Sequence, residues 1–175
     1  MNRAQLEHII RAAAAITNEY ELVVVGSQSI LGAYPDAPEG LLESMEADVY
    51  PLHHPELSDV IDGSIGELSP FDKNFGYYAQ GVGSNTAILP RGWEERLVKI
   101  QNQNTDLKIG YCLEPHDLAA SKLAAGREKD WNYVTLMLEK DMIIAEMLQQ
   151  RIQMLPVTQE QQDRLCLWVD RVRPG

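Results

Sequence analysis

The run from Leu22 to Pro51, LVVVGSQSILGAYPDAPEGLLESMEADVYP, constrains this chain more than any other. Val23, Val24 and Val25 are β-branched in succession, which favours a buried strand. Gly26 lets the backbone turn sharply at the end of that strand, and Ser27 is a capping residue for a helix beginning there. Backbone N–H groups and the helix dipole make such a junction an anion site. Glu46 and Asp48 follow, two residues apart in a second short run, so on a strand both point to one face. Two convergent carboxylates suit a hard divalent cation, which in turn meets phosphate. A phosphate cradle followed by a metal-binding pair points to chemistry on a nucleoside triphosphate. The competing interpretation is a structural turn followed by a solvated acidic strand end.

The order strand, Gly-Ser, helix, acidic-x-acidic resembles the signature of the nucleotidyltransferase superfamily, matched here by Gly26, Ser27, Glu46 and Asp48. The segment between Ser27 and Glu46 is longer than usual there, and Glu46 stands where Asp is commoner. A third carboxylate often sits on a later strand in that superfamily. The runs expected to be later strands, Thr86–Leu89 and Leu107–Leu113, contain none, which leaves Asp62, Glu94, Asp106 and Glu114 as candidates by position only.

Periodicity predicts a core-facing helix over residues 3–17, with Leu6, Ile9, Ile10, Ala13 and Ile16 inward, then a first strand over Glu21–Val25. Ser27–Leu31 starts the next helix, Glu46–Tyr50 is the second strand, and Pro55–Ile65 is helical again. His53 and His54 are adjacent, so their side chains diverge, and no Cys or spaced His completes a zinc set; a loop or helix-cap role is expected. Residues 66–83 are rich in Gly and aromatics, read as a loop packing Phe71, Phe75, Tyr77 and Tyr78 onto the sheet rather than stacking on a base. Trp93–Ile100 is amphipathic without a clear type.

The second informative stretch is EPHDLAASKLAAGREKD, residues 114–130. Pro115 suits the first turn of a helix, acids at 114 and 117 suit its positive end, and Gly126 suits its stop. Lys122 lies on a face otherwise made of Leu and Ala, so its stem packs while its ammonium reaches toward a cleft. A second helix follows, with Trp131, Val134, Met137 and Leu138 inward. Lys122, Arg127 and Asp130 resemble the motif of the AbiEii-like branch of the nucleotidyltransferases, known from abortive-infection and toxin–antitoxin systems. An uncharacterised bacterial family of the same superfamily is similar through the blocks GSQSIL, EADVYP, FGYYAQGV and LPRGW. The resemblance spans roughly residues 20–140. Gln28, Ser29, Ile30 and Leu31 occupy positions where the toxins usually carry a basic residue, and Tyr133 replaces a second acid. Read without the resemblance, Lys122, Arg127 and Asp130 form an ion-pair cluster joining two helices.

Composition narrows the field. A chain of 175 residues buries a core without disulfides, and no apolar run approaches the ~20 residues of a membrane span. MNRAQLEHII opens an amphipathic helix without a signal-peptide core, and Cys112 and Cys166 sit in apolar settings, so a cytoplasmic location with buried, reduced thiols is expected. A net charge of −11 argues against broad nucleic-acid binding, though not against an RNA held at a few points. Ile143, Met147, Leu148, Ile152 and Leu155 form an apolar stripe, and Thr158 with Gln161 makes a capping box before Leu165, Trp168 and Val172.

The expected fold is α/β: a small mixed sheet flanked by helices over residues 1–140, with a helical C-terminal extension, 141–175, packed on the same domain. The resemblance implies Mg²⁺-dependent, or Mn²⁺-dependent, transfer of a nucleotidyl group from an NTP to an RNA (tRNA among them) or protein hydroxyl, with a cognate antitoxin or operon partner. Gly26 and Ser27 would hold phosphates, Glu46 and Asp48 the metal. Lys122 and Arg127 would contact phosphates or assist the attacking hydroxyl, and Asp130 would orient one of them. The alternative is a catalytically degenerate member that binds nucleotide or a partner.

Overall fold

The computed structural model describes residues 1–175. The chain divides into two compact units, one of residues 1–86 and 97–113, the other of residues 87–96 and 114–175.

The first unit opens with helix α1 (Arg3–Thr17), held at its start by a reciprocal Asn2–Gln5 capping box and ended by Asn18 at φ 54°. Leu6, Ile9, Ile10 and Ala13 are buried, as their spacing predicts. Strand β1 (Glu21–Val25) leads through a 3-10 turn (Ser27–Ser29) into the short α2 (Ile30–Ala33). Strand β2 (Glu46–Pro51), α3 (Ser58–Ile65), α4 (Pro70–Phe75), β3 (Tyr78–Gly81), β4 (Val98–Ile100) and β5 (Ile109–Cys112) complete it. The strands form one sheet in the order β3-β2-β1-β5-β4. Pairing is parallel for β1–β5 and β2–β3, antiparallel for β1–β2 and β4–β5. This is the mixed α/β arrangement the sequence implies.

Register assigns the two faces. Val24, Val49, Gly81 and Cys112 lie on one, together with Leu22 and Gly110. Helix α1 rests on this face so closely that a Cβ on Gly110 would run into the Ile10 side chain. Glu46, Asp48, Tyr78 and Gln80 point to the other.

One local expectation fails. Thr86–Leu89 is irregular chain, and the strand comes earlier, at Tyr78–Gly81, inside the stretch read as an aromatic loop. Gly81 weakens strand propensity, yet its missing Cβ admits the Ser58 carbonyl, which is what seats β3 beside α3. Phe71, Phe75 and Tyr77 pack with His8 at centroid distances of 4.7 to 5.8 Å, and His8 Nδ1 lies 2.6 Å from the Tyr77 hydroxyl. Trp93–Ile100, amphipathic without a clear type, divides into a 3-10 turn, Trp93–Arg96, and β4, Val98–Ile100.

The second unit is helical: α5 (Pro115–Ala125), α6 (Glu128–Glu139), α7 (Ala145–Ile152) and α8 (Gln159–Val172). Glu114 caps α5 by accepting from the N–H groups of His116 and Asp117, and Gly126 closes it at φ 70°. The Thr158–Gln161 capping box starts α8. Leu118, Leu123, Val134, Met137, Leu138, Leu148, Ile152 and Leu165 form the core. On α8 the buried partner of Leu165 is Val169, while Trp168 is half-buried against Trp131 at 4.8 Å. Cys112 is buried and Cys166 half-buried, both as free thiols. No helix of the chain is long and apolar enough to cross a membrane.

Candidate functional site

The β1–β2 pairing brings the two halves of the Leu22–Pro51 stretch together. Val25 stands opposite Asp48, so Gly26, one residue on, meets the Asp48 carboxylate. A Cβ on Gly26 would lie 2.6 Å from Asp48 Oδ2, and the backbone there, φ 71° and ψ −167°, belongs to a region essentially confined to glycine. Gly26 thus serves both the turn and the close approach of a carboxylate. Ser27 does not cap a helix as its type suggests. It begins the 3-10 turn, Gly26 occupies the cap position, and Ser29 Oγ donates to the Gly26 carbonyl at 2.8 Å. A 3-10 turn followed by four helical residues carries little macrodipole, so any anion here relies on local N–H groups. Gln28 is buried: its Nε2 donates to the Ser44 carbonyl at 3.0 Å, while Oε1 has no hydrogen-bond partner.

Glu46 and Asp48 share one face of β2, both half-buried. The hydroxyl of Tyr78, opposite Glu46 on β3, donates to Glu46 Oε2 at 2.9 Å. Burial and this bond to Glu46 push the Tyr78 phenol up to about 12, so it remains a donor throughout the physiological range. Gln80, exposed, stands opposite Asp48 on the same strand. Sequence reasoning gave neither β3 residue a place beside this pair, because their register with β2 is set by the sheet and not by local sequence.

No group of three or more His, Cys, Asp or Glu suited to an ion is assembled. Asp62 lies on α3 and Asp106 in a turn at φ 53°, while Glu94 and Glu114 belong to the second unit. His53 Nε2 and His54 Nδ1 are each 2.6 Å from a carboxylate, of Glu21 and Glu19 respectively. Two carboxylates on one strand face are nonetheless a donor set that Mg²⁺ accepts. That ion is commonly held by one or two carboxylates, with water and substrate phosphate filling its octahedron.

Lys122, Arg127 and Asp130 come together within the second unit. Asp130 is fully buried and accepts from Arg127 Nε at 2.7 Å, Arg127 Nη2 at 3.3 Å and the Arg127 backbone N–H at 3.2 Å. Lys122 Nζ donates to Asp130 Oδ1 at 3.4 Å and lies 4.3 Å from the centre of the Tyr133 ring. Burial raises and the Arg127 bonds lower the Asp130 carboxyl, with a net downward shift; burial lowers the Lys122 ammonium against the pull of Asp130. The ion-pair cluster joining α5 and α6 is therefore present. A cleft of about 280 Å³ opens beside Gly126, lined by Trp131, Val157 and Arg164 among others, and Lys122 is not in its wall.

Sequence reasoning also missed a second set of charges in this unit. Asp117, read only as an acid suiting the helix dipole, is buried between Arg96 and Arg151. The Asp117 hydrogen bond holds the Arg96 guanidinium above its ordinary value despite burial. Glu114 takes Arg151 Nη1 and His116 Nδ1, each at 2.6 Å. His116 Nε2 accepts the Ile144 N–H at 2.9 Å, which assigns the proton to Nδ1. Local sequence shows only the acid-rich start of α5; its partners come from 21 and 37 residues away.

Residues 4–168 match the family described as "Nucleotidyltransferase of unknown function (DUF6036)", and the chain belongs to that family. No curated protein and no solved structure shows a significant match.

Proposed function

We propose that this chain is an active nucleotidyltransferase that uses Mg²⁺, or Mn²⁺, to move a nucleotidyl group from an NTP to a hydroxyl of RNA or protein. The contact between Gly26 and Asp48 carries the reading: a glycine-only turn set against a strand carboxylate brings the backbone N–H groups of the turn close to a group that would bind a metal. Membership of a nucleotidyltransferase family supports it. Glu46 and Asp48 would hold the ion, Tyr78 orients Glu46, and the turn at Gly26 and Ser27 receives phosphate oxygens. When bound, the ion supplies charge neutralisation at the reacting phosphate. In the second unit, Arg127 keeps a largely exposed side chain while Asp130 fixes its orientation, an arrangement suited to gripping phosphate. The spacing of Lys122, Arg127 and Asp130 supports a place in the AbiEii-like branch, hence a role in a toxin–antitoxin or phage-defence pair with a cognate antitoxin, in the cytoplasm.

A second reading has its own observation. Only two acids sit on the β2 face, which favours a degenerate member that binds nucleotide or a partner without transfer. Thermal unfolding with and without Mg²⁺ and each NTP, on wild type and Asp48→Ala, tests the site. Ligand at 100 times its Kd adds about 2.7 kcal/mol, a rise of roughly 5–10 °C at this length. A metal-dependent rise lost in Asp48→Ala, followed by labelled-nucleotide transfer, is the expected result. Binding without transfer to any acceptor selects the degenerate reading, and no shift at millimolar NTP removes both.

A further inference from the structure

Strand β2 has two neighbours, and only one of them offers Asp48 a polar companion. On β1 the residue opposite Asp48 is Val25, apolar and 4% exposed. On β3 it is Gln80, exposed. Parallel strands in register put paired side chains on the same face about 4.8 Å apart. Two residues along the same strand pair, that geometry is already expressed: Tyr78 and Glu46 are in register and their side chains meet at 2.9 Å. The row formed by Glu46, Asp48, Tyr78 and Gln80 is therefore a built surface in which every side chain is polar.

We infer that Gln80 is the third oxygen donor of the β2 site, a neutral amide standing where a third acid is absent. This rests on the metal reading proposed above. An amide carbonyl is an accepted ligand for hard cations, and unlike a carboxylate it adds no charge. Tyr78 takes one oxygen of Glu46, which fixes that carboxylate on the face that Gln80 shares and limits how it can turn toward an ion. The site then has two negative charges rather than three. It holds a single divalent ion weakly by itself and gains affinity when a triphosphate contributes its own oxygens. Nothing in the local sequence around residue 80 suggests this; it follows from the sheet register.

Direct Mn²⁺ binding to the full chain, read from the electron paramagnetic resonance signal of the free ion with and without NTP, tests the inference without requiring turnover. Gln80→Glu restores a third charge and is expected to tighten Mn²⁺ on the order of tenfold, while Gln80→Ala weakens it on the order of tenfold. Gln80 is exposed, so both variants should melt like wild type in the absence of metal. Asp48→Asn serves as the reference for loss of the site. Wild-type affinity in both Gln80 variants, with binding lost in Asp48→Asn, overturns the role of Gln80 and leaves the metal site standing. Absence of Mn²⁺ binding by wild type, with every NTP as well as without, overturns the metal reading and the inference together.

Discussion

Arg96 holds Asp117 through two hydrogen bonds, Nε to Oδ2 at 2.7 Å and Nη2 to Oδ1 at 3.0 Å. Arg151 adds a third from α7, Nη1 to Oδ1 at 3.2 Å. The fork geometry is that of a strong charge-assisted pair, and it ties the 87–96 segment and α7 to the start of α5. Asp117 is 1% exposed, and its removal leaves the Arg96 guanidinium without a carboxylate while Arg151 keeps Glu114. Asp117→Ala is expected to cost about 3–5 kcal/mol, a large share of the ~5–15 kcal/mol that holds a domain folded. Arg96→Met should cost less, because Asp117 keeps Arg151. Urea unfolding of the two variants measures the order, and equal losses would refute the shared-acid arrangement.

Gly26 makes a sharper prediction. A side chain there must adopt a glycine-only backbone and also displace the Asp48 carboxylate. Gly26→Ala should therefore destabilise by about 1–3 kcal/mol from backbone strain alone, and it should weaken any Mg²⁺-dependent thermal shift. A variant that melts like wild type would show that the turn relaxes without strain, and the tight Gly26–Asp48 approach would lose its meaning.

The parts of the chain that could be read in advance are those where local chemistry decides. Thr158, Pro115 and Gly126 announce helix ends because capping and left-handed termination are properties of single residues. Val23–Val25 and the Glu46–Asp48 spacing announce strands on the same grounds. What could not be read depends on pairing between distant segments. Gly81 ends a strand only because it lies against Ser58, and Asp117 is buried only because Arg96 and Arg151 arrive from elsewhere. Gln80 gains interest only from its register with Asp48. The Gly26, Ser27, Glu46 and Asp48 group was legible; its β3 neighbours were not.

Lys122 and Asp130 are unequal partners. Asp130 is fully buried with three bonds from Arg127, so losing Lys122 leaves its charge compensated. Losing Asp130 instead leaves a mostly buried ammonium without its carboxylate, over the Tyr133 ring. Asp130→Ala should cost about 3–5 kcal/mol, whereas Lys122→Met, which preserves the packed stem, should cost under about 1.5 kcal/mol. Chemical denaturation settles the stability order, and transfer assays on folded Lys122→Met protein separate packing from chemistry. Near-full activity in that variant would remove Lys122 from the catalytic set.

Glu114 couples the second unit to pH. Burial raises its carboxyl, but hydrogen bonds from the His116 ring, the His116 backbone N–H and Arg151 outweigh it and hold the group at about 2 against an ordinary 4.5. A carboxyl depressed by folding stabilises the folded state above its unfolded value and loses that contribution as pH falls through the folded value. The stability supplied by Glu114 is thus complete above about pH 5 and fades between there and about pH 2, an effect of about 3 kcal/mol. Glu114→Gln keeps an oxygen for the N-cap while removing the titration, so its stability should fall less steeply over that window. Parallel acid limbs for the two proteins in urea unfolding at pH 5, 4, 3 and 2 would mean that the α5 cap does not sense acid through Glu114.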